Sequence, residues 1–345
     1  MMTMKGYVPY TNKTVELREF PMPVPQEGQV VVKIAYCGMC ATDVHRMNGS
    51  IGVADKNTII GHECSGVVVE IGPNTAHMGF AVGDRVVVDP NRYCHYCNAC
   101  KKDQKCTEMT VASRGHGCFA EYKLCDVESC HKIPDRLSLK RAVLAEPVTS
   151  VMRAIDLAQI KQGQTVALSG AGGIGMLLLW AIKHTGASNI TVIEPVKEKW
   201  ELCRALGAKN CINPFEENVY DRCMELTNNE GFDYVFEVSG ARSAASVCTE
   251  IIGFGGNVIY FAVFPSDFEM PLNLNKLYSK EGRVQTVFTH RTNFPRAVNF
   301  LADCGDEVDR IMGLEVPFDR VNDAFEAFFT SKYSKIVIKV ADDLT

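Results

Sequence analysis

Thr165-Val166-Ala167-Leu168-Ser169-Gly170-Ala171-Gly172-Gly173-Ile174-Gly175 reads as a buried strand, a glycine turn and the opening of a helix. The apolar residues from Ile174 to His184 extend that helix. Gly170 permits the tight turn, Gly172 lets backbone approach a pyrophosphate, and Gly175 allows close helix–strand packing. Amides at the helix start favour an anion there. Glycines punctuate many helix starts, so the pattern is specific only through its context. Here that context includes Glu194, which ends the next predicted strand, Ile190–Glu194. A carboxylate at that point accepts hydrogen bonds from both adenosine ribose hydroxyls and repels a further phosphate. The expected cofactor is therefore NAD, with Gly170, Gly172, Gly173, Ile174, Gly175, Glu194 and Lys199 as its candidate binding residues.

Outward from this stretch the strand–helix alternation continues. A helix is expected from Lys197 to Leu206, and strands at Phe232–Glu237 and Gly256–Phe261. This is the rhythm of a doubly wound parallel sheet, beginning near Lys161. Upstream the pattern differs. Gln29–Ile34, Gly66–Gly72 and Gly83–Val88 are β-branched runs separated by turn residues, which suggests a folded-over, barrel-like β unit. Glu146-Pro147 opens a helix through Ala158 that leads into the second half. The last strand, Lys335–Val340, returns to the first unit. The expected division is 1–150 with 286–345 as one domain and 151–285 as the other.

At 345 residues the chain suits two domains. Hydrophobic residues make up 46% and charged residues 22%, the composition of a globular protein. A net charge of -5 offers no general attraction to nucleic acid or anionic membrane. No leader pattern or apolar run of about 18 residues appears, so neither a signal peptide nor a membrane span is expected. Of fifteen cysteines, seven fall between Cys94 and Cys130 and the rest are scattered. Without a secretory signal they read as reduced thiols, and the expected location is the cytoplasm.

Two further motifs precede the nucleotide half. Cys40-Ala41-Thr42-Asp43-Val44-His45 is followed by Gly61-His62-Glu63. A thiolate, an imidazole and nearby carboxylates can hold zinc with one position open. Cys94-x-x-Cys97-x-x-Cys100, followed by Cys106, is a structural-zinc pattern.

In this order, with Glu146-Pro147 between them, these elements resemble the zinc-dependent medium-chain dehydrogenases over nearly the full length. The resemblance is to their sorbitol- and threonine-dehydrogenase-like branch. It implies an α/β protein with a Rossmann cofactor domain (151–285) and a GroES-like catalytic domain (1–150 and 286–345). It also implies Cys40 and His62 as ligands of a catalytic zinc. Glu63 would be a ligand or an outer carboxylate exchanging with water, and Glu146 a further ligand. Cys37 would be a packed thiol. Asp43 would orient His62 through its other ring nitrogen. Zinc would act as a Lewis acid on a substrate alcohol while hydride passes to the nicotinamide. Thr42 would accept the alcohol proton and His45 carry it onward.

The family has seven residues between its third and fourth lobe cysteines, and this chain has five, with Glu108 at the seven-residue position. Either Cys106 closes the site or the fourth ligand is altered. Four thiolates favour Cys106.

The expected reaction is NAD-linked interconversion of a secondary alcohol, a polyol or sugar alcohol, with its ketone. Thr289-His290 stands where sorbitol-dehydrogenase-like chains carry an Arg-Tyr pair, with Arg291 beside it. The aromatic segment Phe261–Phe268 suits a bulkier apolar alcohol such as a hydroxysteroid, or a subunit contact. L-Threonine is a further alternative. A reductase without catalytic zinc would lack the Cys40, His62 and Glu146 set. A nucleic-acid-binding zinc knuckle would call on Lys101, Lys102 and Lys105, against the acidic balance of the chain. The resemblance also implies a homodimer or homotetramer.

Overall fold

The valine run Val30–Val32 is fully buried, as a strand covered on both faces requires. It belongs to Gln29–Met39, the longest strand of a seven-stranded sheet. Gln29–Met39 pairs antiparallel with Glu63–Ile71, Tyr122–Asp126 and Lys335–Lys339. Arg85–Val88 and Cys130–Lys132 extend the sheet on one side, and Met312–Pro317 on the other. A separate hairpin, Thr3–Pro9 with Val15–Pro21, and a short antiparallel pair, Asn91–Arg92 with Thr110–Val111, lie outside that sheet. Tyr7, Val30, Ile34, Phe119, Phe325 and Ile338 belong to one hydrophobic core.

The computed structural model describes residues 2–49, 57–102, 104, 106–108, 110–111, 117–288 and 293–344. By internal contacts the chain forms two units. One comprises Met1–Thr149, His290–Gly305 and Met312–Thr345, and the other Ser150–Thr289 with Asp306–Ile311.

The second unit is built on six parallel strands. In chain order they are Thr165–Ser169, Ser188–Ile193, Asn210–Ile212, Phe232–Glu237, Ile252–Tyr260 and Arg283–Thr286. Their spatial order is 3-2-1-4-5-6, so the switch point lies beside Thr165–Ser169. The helix Gly173–Lys183 follows that strand and is almost wholly buried from Gly175 to Ile182.

The unit boundaries depart from the expected ones in three places, the first being Ser150, which falls with the second unit. Residues 286–289 fall with the second unit because Thr286 still pairs with Tyr260 in the sixth strand. The short helix Glu307–Ile311 also belongs there. It buries Val308 and Ile311, and its charges meet Lys183 (2.9 Å to Glu307) and Glu201 (3.3 Å to Arg310). Two apolar anchors outweigh chain proximity. Among the described residues no helix is long and apolar enough to cross a membrane.

Candidate functional site

Cys40 stands at the N-terminus of the helix Ala41–Met47, and His62 and Glu63 at the start of the strand Glu63–Ile71. The register of Gln29–Met39 against that strand sets Gly38 opposite Glu63, which brings the two motifs side by side. Ligand atoms of Cys40, His62 and Glu63 lie within 4.8 Å of one another. A thiol, an imidazole and a carboxylate so placed fit zinc. Both carboxylate oxygens of Glu63 are buried without a hydrogen-bond partner, an arrangement that suits a carboxylate beside a cation.

Asp43 ties the group together. Its Oδ2 accepts the Cys40 backbone N–H at 3.1 Å, and its Oδ1 lies 3.1 Å from His62 Nδ1. Nδ1 is thereby engaged, and Nε2 is the ring nitrogen left for a metal. Burial alone would lower the imidazole pKa, but the Asp43 carboxylate, with Cys40 beside it, holds it well above the usual value.

Glu146 lies in the first turn of the helix Ala145–Ala158. It stands outside the tight three-residue group but within electrostatic reach of His62 and Glu63. The residue is half-buried, and desolvation, reinforced by Glu63, pushes its carboxyl pKa up to about 7. Thr42 and His45 are half-buried and three residues apart on the helix, hence on one face. Cys37 is fully buried and its Sγ donates to the Cys118 carbonyl at 2.6 Å, away from the group.

The sequence gives no hint of Lys335. It opens the last strand, is 5% exposed, and forms an ion pair with Glu63, itself 1% exposed. Its Nζ also donates to the Met39 carbonyl at 3.0 Å.

The four lobe cysteines come together within 4.8 Å. Sulfur separations are 3.9 Å for Cys94–Cys100, 3.9 Å for Cys97–Cys106 and 3.5 Å for Cys94–Cys106. Four sulfurs about 2.3 Å from a central zinc would stand about 3.8 Å apart along the edges of their tetrahedron. Backbone amides of Cys97 and Cys100 point at the sulfurs of Cys94 and Cys97, each at 3.3 Å. The Cys100 amide and Thr107 bring the Cys97 thiol down to about 5, while burial and neighbouring thiols push Cys100 up to about 11. A metal would displace the remaining protons. Cys106, rather than Glu108, is the fourth member of this group.

In the second unit Gly170 has φ +104°, and a Cβ there would meet Ser239 Cα at 2.9 Å. A Cβ at Gly175 would strike the Gly170 carbonyl at 2.2 Å, whereas Gly172 faces open space. These are a tight turn, a close helix–strand approach and a clear backbone cradle. Gly173 and Ile174 lie half-buried in the first turn. Glu194, just past Ser188–Ile193, accepts backbone N–H groups from Ala171 (2.7 Å) and Val196 (3.0 Å). Each oxygen keeps a lone pair for a ribose hydroxyl. Lys199 is 8% exposed at the start of the helix Trp200–Ala205. Glu237, which sequence reasoning missed, ends the fourth strand fully buried and accepts the Ser239 and Gly240 amides.

Comparison with known proteins shows the family of the chain. The alcohol dehydrogenase GroES-like domain matches residues 26–135, and the zinc-binding dehydrogenase domain matches residues 173–303. An uncharacterized zinc-type alcohol dehydrogenase-like protein of Escherichia coli is 31% identical over 95% of this chain and 96% of its own. Sorbitol dehydrogenase of Bacillus subtilis is 28% identical over 94% and 93%. The chain belongs to the zinc-type medium-chain alcohol dehydrogenase family. It is therefore an oxidoreductase acting on CH–OH groups. A candidate zinc-binding dehydrogenase from Clostridium scindens superposes with a TM-score of 0.88 at 31% identity, covering 98% of both chains. Another, from Sinorhizobium meliloti and bound to NADP, gives 0.90 at 25%, covering 99% of this chain and 100% of its own.

Thr289, His290 and Arg291 lie outside the described residues of this dehydrogenase. Within Phe261–Phe268, Phe264 and Phe268 stack with centroids 5.2 Å apart. With Tyr260 and Met270 they line a cavity of about 240 Å³.

A cavity of about 230 Å³ in the first unit of the dehydrogenase is lined by Asp89, Tyr93, His95, Glu128 and His131, among others. Burial pushes Asp89 up to about 7 and His131 down to about 4. His131 stacks on Phe294 at 4.9 Å. Unfolded histidine binds a proton below about pH 6.5, whereas folded His131 stays neutral to about pH 4. Its contribution is thus present above that window and lost as pH falls through it. Asp89 acts oppositely, because its protonated form favours the fold and that advantage fades as pH rises from about 4 to 7. His131→Phe keeps the stack and removes only the first effect. The variant should gain up to about 2 kcal/mol over wild type between pH 6.5 and 5. Calorimetric melting across that range measures it, and a constant difference would refute the neutral, desolvated imidazole.

Proposed function

We propose that this protein is a zinc-dependent, NAD-linked dehydrogenase interconverting a secondary alcohol, of the polyol or sugar-alcohol class, with its ketone. The gathering of Cys40, His62 and Glu63, with Asp43 behind the imidazole, carries this reading. A zinc ion held by these residues, with Glu146 nearby, supplies Lewis acidity toward the alcohol oxygen, and the nicotinamide accepts the hydride. The chain does the rest. Asp43 holds the His62 tautomer and ring plane; Thr42 accepts the substrate hydroxyl proton through a hydrogen bond while giving up its own hydroxyl proton toward His45 on the same helix face, which passes it to solvent. The glycine turn from Gly170 to Gly175, with Gly173 and Ile174, holds the pyrophosphate. Glu194 takes the ribose hydroxyls and Lys199 borders the adenosine side. Cys94, Cys97, Cys100 and Cys106 hold a second, structural zinc.

The first unit serves as catalytic domain and the second as cofactor domain, in the cytoplasm. The edge strand Arg283–Thr286 lies beside exposed Phe254, Leu274 and Tyr278, which supports a homodimer or homotetramer formed through that edge.

The test is reduction of NAD and NADP across sorbitol, xylitol, other polyols, butane-2,3-diol, L-threonine and hydroxysteroids. Turnover of polyols with NAD supports the reading; turnover confined to hydroxysteroids or threonine sinks the substrate class. In the same assay Glu194→Ala should shift the NADP-to-NAD ratio of kcat/KM upward by roughly 10- to 100-fold, because a like-charge repulsion has been removed. Unchanged selectivity would remove the role assigned to Glu194.

A further inference from the structure

Lys335 and Glu63 form a buried ion pair for which the fold makes room. Glu63 is directly opposite Gly38 in the sheet register. A Cβ at residue 38 would lie 2.0 Å from Glu63 Oε2 and 3.1 Å from Lys335 Cε. Only glycine leaves the hollow in which carboxylate and ammonium meet. The lysine is also tied to the Met39 carbonyl, so its Nζ is held from two sides. Burying two charges costs several kcal/mol per ion unless geometry compensates, so this arrangement differs from a surface bridge. It divides the carboxylate. Oε2 is the oxygen that meets Lys335 in the ion pair, while both oxygens are buried without a hydrogen-bond partner.

We propose that Lys335 is a positioning residue that, seated in the hollow left by Gly38, pins one oxygen of Glu63 and leaves only the other for the metal. This rests on the zinc reading of Cys40 and His62. The pin limits how far Glu63 can close over the ion and so keeps a coordination position for substrate. Without the ammonium, the strongest partner left for the buried carboxylate is the metal itself.

The test uses the full-length protein loaded with zinc or with cobalt(II) as a spectroscopic substitute. Lys335→Met should slow zinc transfer to a chelator by roughly tenfold, within the range typical of changes around first ligands. It should also weaken the visible cobalt bands, as added coordination does. Lys335→Arg should restore both toward wild type. Gly38→Ala keeps every charge but displaces Glu63 from the lysine, and should reproduce the cobalt change. It carries the test should Lys335→Met fail to fold, which melting curves would reveal. Wild-type cobalt bands and zinc release at the wild-type rate or faster, in whichever of these two variants folds, would overturn the proposal and leave the zinc reading standing. Wild-type protein with the same metal content as Cys40→Ser would overturn both.

Discussion

Cys40→Ser should lower kcat by roughly 10³-fold or more, about 4 kcal/mol of transition-state stabilisation. The serine hydroxyl is a poor zinc ligand at neutral pH, whereas the thiol ionises readily on a metal. Metal content should fall by one equivalent. The fold should survive, since Cys40 is only half-buried and lies between the strand Gln29–Met39 and the helix Ala41–Met47. Cofactor binding should also survive, because the glycine turn and Glu194 belong to the other unit. Zinc analysis, cofactor titration and steady-state kinetics on one preparation separate these outcomes. Full activity in the variant would refute Cys40 as a ligand.

Cys97→Ser should act on stability. The lobe has few apolar contacts of its own: among its described residues Cys100 and Cys106 are buried, while Tyr96 is 69% exposed. Its order therefore depends on what joins four sulfurs spaced like the edges of a zinc tetrahedron. Losing one thiolate should release the ion and lower the melting midpoint by roughly 10 °C, equivalent to several kcal/mol. A chelator should destabilise wild type by a similar amount and the variant hardly at all. Unchanged zinc content would mean that the lobe holds no metal.

Much of the fold was legible in local pattern. Thr165–Ser169 and Phe232–Glu237 are strands over the expected residues, and the helix from Glu146-Pro147 does end at Ala158. Such segments carry their own period and punctuation. Other boundaries moved for nonlocal reasons. The strand expected at Gln29–Ile34 runs to Met39 because the distant strand Lys335–Lys339 pairs with its second half. The segment expected as one helix from Lys197 divides into a tight turn, Lys197–Lys199, and a helix, Trp200–Ala205. Trp200 Nε1 donates to the Glu194 carbonyl there, a contact that no periodicity encodes.

The sequence by itself determined the two kinds of chemistry. Cysteine spacing, the Cys40 and His62 motifs and the glycine turn with Glu194 are short-range patterns in which residue type and interval already constrain the ligand. Tertiary structure alone decided the surroundings. Lys335 reads as an ordinary charged residue at a strand end, yet sheet pairing buries it against Glu63 in space left by Gly38. Asp89 and His131 likewise acquire displaced pKa values only through packing. Desolvation and charge pairing depend on which distant segments meet, and chain order does not specify those meetings until the sheets form.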